Sequence, residues 1–107
     1  MKKPISAPLG RALVKTARPP EGAADILRRA ALEMGAEISQ EESPPDGMTL
    51  TVHGNEKGVI WAVQAHIKST WRGCSVELTA LGGGMRCPDI FDAGVKRLDT
   101  LAKALRT

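Results

Sequence analysis

The run Thr16-Ala17-Arg18-Pro19-Pro20-Glu21-Gly22 holds the residues best placed to do chemistry in this chain. A proline pair suits the first turn of a helix, because the ring sets φ and the missing N–H would have no partner there. The N–H groups that follow lack intrahelical acceptors. Together with the positive end of the helix dipole, they favour an anion. Arg18 adds a forked donor matched to phosphate, and Thr16 adds a hydroxyl at the same junction. Thr16 and Arg18 are therefore the candidate anion-binding pair. The competing reading is a strand-to-helix turn with a solvated arginine, which a motif this short leaves open.

Other chemistry-bearing residues carry less. His53 and His66 are separated by twelve residues with no third ligand in view, so no metal site is expected. Cys74 and Cys87 lack the paired spacing of a zinc site, and two free thiols are expected. Gly82-Gly83-Gly84-Met85-Arg86 lacks the Lys and Ser/Thr of a phosphate-binding loop and reads as a connector. Asp89 and Asp92 suit the start of a helix, where the dipole favours negative charge. Lys96, Arg97, Lys103 and Arg106 read as a solvated basic face. The aromatics are only Trp61, Trp71 and Phe91, which argues against a base-stacking sheet, so nucleic acid is not the expected partner.

The elements that must position these residues follow from apolar spacing. Residues 11–16 read as a strand, and Ala24, Leu27, Ala31 and Met34 mark one face of a helix closed by Gly35. Residues 36–40 and 48–53 read as a hairpin across a Pro-Pro-Asp-Gly turn. Ile60, Val63 and Ile67 suggest a second helix over 57–70, and Gly73 ends that segment. Residues 74–80 alternate as a fourth strand. Phe91, Val95, Leu98, Ala102 and Leu105 form the stripe of a last helix. Trp61 stands one residue off the second helix's stripe. Facing solvent it would be a candidate partner-binding residue; large aromatics usually bury, which favours a place at the core edge.

At 107 residues and 11.4 kDa the chain is one domain, long enough for a core without metal or disulfide staples. Its 42% apolar and 25% charged residues are ordinary for a soluble globular protein. The net charge of +3 excludes an acidic tail but is too small to imply nucleic acid without clustering. The longest apolar run, Val59–Val63, is far below the roughly 20 residues a membrane helix needs. Pro4, Pro8, Gly10 and Arg11 interrupt any export signal, so a cytoplasmic protein is expected. Residues 1–10 read as a loose arm, and 11–107 as the domain.

The motif and element order together resemble HPr, the histidine-containing phosphocarrier of the sugar phosphotransferase system. In that family a His-Ala-Arg-Pro run precedes the first helix, where this chain has Thr16-Ala17-Arg18-Pro19. Lys57-Gly58-Val59-Ile60 is similar to the family's Lys-Ser-Ile-Met entry to its second helix, and Trp71–Leu78 to its turn into the last strand. The resemblance implies an α+β open-faced sandwich, βαββαβα, with a four-stranded antiparallel sheet under three helices on one face. It places Thr16 where the family's phosphoryl-accepting His stands, and Gly58 where its regulatory Ser stands. A threonine hydroxyl lacks the readily deprotonated ring that carries phosphate near neutral pH. No flanking base activates it. The resemblance thus implies a regulatory, protein-binding domain with a degenerate site, no cofactor, and partners of the phosphotransferase type docking near the first two helices. A carrier or binding domain is expected rather than an enzyme. The alternative is a small basic nucleic-acid-binding α+β module.

Overall fold

The computed structural model describes residues 10–42, 47–81 and 88–106. Residues 1–9 of the expected arm (1–10), the glycine run (82–84) and Cys87 lie outside these residues. Seven elements follow one another: β1 (Arg11–Thr16), α1 (Pro20–Glu33), β2 (Glu37–Glu42), β3 (Gly47–Glu56), β4 (Val59–Thr70), β5 (Gly73–Leu81) and α2 (Pro88–Arg106). The strands form one antiparallel sheet in the order β1-β5-β4-β3-β2. Strands β2 to β5 are a meander. The first strand returns to pair with the last, and Gly10 extends that ladder by accepting the Ala80 N–H at 2.6 Å.

The expected four-stranded sheet under three helices is therefore corrected to a five-stranded sheet with two helices. The difference lies in residues 59–70, which are strand and not helix. Their apolar residues satisfy two periods at once. Ile60, Val63 and Ile67 fit a helix, but Trp61, Val63, Ala65 and Ile67 fit strict alternation, and these four are the buried set. The segment is rich in β-branched residues, which suit a pleated surface. A two-residue turn also precedes it. Lys57 (φ 54°) and Gly58 (φ 87°) both take positive φ, the signature of a tight hairpin turn, and Glu56 pairs with Val59 across it. The Asn55 side-chain oxygen accepts the Gly58 N–H at 2.9 Å and secures the turn.

Burial follows strand parity. Val14, Leu50, Val52, Trp61, Val63, Ala65, Ile67, Cys74, Val76, Leu78 and Ala80 face the helices and form the core. From α1 come Ala23, Ala24, Leu27, Ala30 and Ala31; from α2 come Ala93, Leu98, Leu101, Ala102 and Leu105. Small alanines let α1 sit close to the sheet. Helix α1 ends as its sequence predicts: Gly35 (φ 71°) lets the chain turn back, the Gly35 N–H reaches the Leu32 carbonyl, and the Ala36 N–H reaches that of Ala31. Among the described residues, the opposite sheet face carries no helix. It presents Arg11, Leu13 and Lys15 from β1, Ser75, Glu77 and Thr79 from β5, Gln64, His66 and Lys68 from β4, and Thr49, Thr51 and His53 from β3. No helix among the described residues is long and apolar enough to cross a membrane.

Candidate functional site

Thr16 and Arg18 meet at the start of α1. Thr16 ends β1, and its hydroxyl oxygen accepts the Arg18 backbone N–H at 3.2 Å, which closes the turn into α1. Arg18 also lines a hollow between α1 and α2 with Ile26, Arg29, Ala30, Glu33 and Ala104. Thr16 lines a second hollow. At the helix start, Pro19 caps without a side-chain bond, and Glu21 already supplies the negative charge that the dipole favours.

Trp61 is corrected from a candidate partner-binding residue to a core residue. It is only 2% exposed on the helix-facing side of β4. His66 lies on β4, on the helix-free face, where its Nδ1 sits 3.1 Å from the Thr49 hydroxyl oxygen. His53 shares that face, but its register partner is Ala62, four residues from His66 along β4 and so about 13 Å away. No group of three or more metal-ligating side chains exists among the described residues.

A larger constellation includes Thr16. The β4–β5 turn, Trp71-Arg72, projects beside the point where β1 leaves the sheet. Together they enclose a groove of about 620 Å³ lined by Lys15, Thr16, Ala17, Thr70, Trp71 and Arg72, with Cys74 at its base. Trp71 is 86% exposed, the most exposed large apolar side chain described. The Arg72 guanidinium lies 4.3 Å from the centre of its ring, within cation–π range. No described lining residue is acidic. Gly73 makes the construction possible, because the Thr16–Ala17 backbone passes where its side chain would be: a Cβ there would stand 2.2 Å from the Thr16 carbonyl oxygen.

Cys74 contributes a floor and no reactivity. The side chain is buried, and burial pushes its thiol above the ordinary value. A raised folded-state value means stability that is full below the unfolded thiol's value and falls as pH rises toward the folded one. Native protein at pH 8 is therefore expected to leave Cys74 unalkylated in peptide mapping, with modification appearing once guanidinium unfolds the chain. Rapid native labelling would contradict the burial.

The fold defines a two-layer α+β domain with one helix-free sheet face and a basic, aromatic groove at one end of the sheet. No protein-family model matches the sequence, and no curated protein matches it. Among solved structures, the chain is similar to the vertebrate conserved region of human METTL16. The TM-score is 0.54 at 10% identity, covering 82% of this chain and 78% of that one. That likeness concerns the fold alone. It lends no support to the HPr resemblance, whose element order the observed βαββββα does not reproduce.

Proposed function

We propose that this protein is a small nucleic-acid-binding module whose contact point is the Trp71–Arg72 groove. The carrying observation is an exposed indole with a guanidinium stacked on it, in a groove with Lys15 and no acidic residue among the described lining residues. A large aromatic left in water gains by taking a base on its free face, worth roughly 1–3 kcal/mol per stacked base. The guanidinium and ammonium groups meet phosphate at the same place. Trp71 stands on a turn at the end of the sheet, between β4 and β5.

The two tryptophans make the test simple, since one is buried and the other exposed. Labelled oligonucleotides in fluorescence anisotropy at low salt should bind, and affinity should fall steeply as salt rises. Trp71→Ala should weaken binding about tenfold or more. Arg72→Ala should weaken it and flatten the salt dependence. Both variants should melt like the parent, because neither side chain is buried. Absence of binding at low salt would overturn the proposal. It would leave Trp71 the role of an anchor for a protein partner.

A further inference from the structure

We infer that the ligand is a single strand, and that its phosphodiester chain continues from the Trp71 groove onto the helix-free sheet face across the Lys15–Ser75–Lys68 row. This rests on the nucleic-acid reading and specifies its substrate. Strand register sets the row: Lys15 pairs with Ser75 on β5, and Ser75 pairs with Lys68 on β4. All three side chains share the face without helices. Lys15 and Lys68 are exposed, and Lys15 also lines the groove, so groove and row are continuous.

The spacing suits a polynucleotide. Lys15 and Lys68 lie two strands apart, about 10 Å, with a serine hydroxyl between them. Trp71 follows Lys68 by three residues, again about 10 Å along the strand direction. One base on Trp71 and successive phosphates at Arg72, Lys15 and Lys68 give a footprint of about four nucleotides, at the small end for a single domain. The Glu77 carboxylate, in the next row, is engaged by Arg11 across β1 and β5. Its repulsion of phosphate is thereby reduced. Stacking also selects strandedness. A turn-borne indole can take a base that is free of a stack, and the bases of a duplex are not free.

The experiment is a length series, from one to about twelve nucleotides, of oligothymidylate and oligouridylate against the parent, Lys68→Ala and Trp71→Ala, with a duplex of matched length. In the parent, affinity should climb to about four nucleotides and then level. Lys68→Ala should bind a mononucleotide like the parent but lose several-fold at four nucleotides. Its salt slope should be shallower by about 0.7, the loss of one phosphate contact. Equal binding of duplex and single strand, or a Lys68→Ala variant indistinguishable at every length, overturns this inference. If Trp71→Ala is still defective in that case, the groove reading stands. Failure of the parent to bind any strand at low salt removes both.

Discussion

Trp61→Ala should lower the free energy of unfolding by about 3–5 kcal/mol, the range for removing a buried large aromatic. The indole is 2% exposed, between the sheet and α2. Its register partner on β3 is Gly54, and the ring lies so close that a Cβ there would stand 2.8 Å from its Cζ2 atom. From the other side, the Arg97 guanidinium of α2 stands over the ring at 5.6 Å. Three elements thus close on one side chain, and none can follow it inward without shifting backbone. A domain of this size has roughly 5–15 kcal/mol in total, so the loss is a large fraction. The thermal midpoint should fall by about 15–25 °C in a circular-dichroism melt. Trp71→Ala, by contrast, should stay within about 0.5 kcal/mol of the parent. A Trp61→Ala loss below about 1 kcal/mol would mean the indole is not the keystone of the β3–β4–α2 junction.

That contrast also shows where the sequence is readable. Helix α1 was legible because Pro19-Pro20, one apolar face and Gly35 agree with one another, and no second period competes. The hairpin β2–β3 was legible for the same reason: Met48, Leu50 and Val52 alternate without ambiguity. Residues 59–70 defeated the reading because Val63 and Ile67 belong to both a helical and an alternating series. A short apolar run is not resolved by periodicity alone. The β-branched residues and the Lys57-Gly58 turn carried the signal that could have decided it. Mistaking a strand for a helix put Trp61 one residue off the expected buried stripe and lent the chain an element order it does not have. The groove was less accessible still. Thr16 and Cys74 are register partners, yet they lie 58 positions apart in the chain (74 − 16), and no local pattern announces that juxtaposition. Thr16 was singled out as half of an anion site with Arg18; the groove it lines also holds Trp71 and Arg72.

One local signal did mark the place. Gly73 was read only as the end of a segment, and its replacement is the second large effect expected here. Its φ is 149°, where side-chain-bearing residues rarely sit, and a Cβ would stand 2.2 Å from the Thr16 carbonyl oxygen and 2.7 Å from Ala17 backbone atoms. These are backbone contacts, so no rotamer change relieves them. Gly73→Ala must therefore push β1 from β5 at the pair that closes the sheet, or distort the turn that carries Trp71. Backbone strain of about 1–3 kcal/mol adds to an overpacking cost of similar size, for a loss on the order of 3 kcal/mol. Gly58→Ala separates the two contributions. Gly58 also has positive φ (87°), but nothing lies within 4 Å of its Cβ position, so it carries backbone strain without the clash. Gly58→Ala should cost about 1 kcal/mol and leave oligonucleotide binding intact, since its turn lies at the opposite end of β4. Gly73→Ala should cost clearly more in urea titration, and whatever folded protein remains should bind poorly, because the groove wall has moved. Equal costs for the two variants would show that β1 does not crowd the β4–β5 turn. The enclosure of the groove between them would then be lost as an explanation for binding.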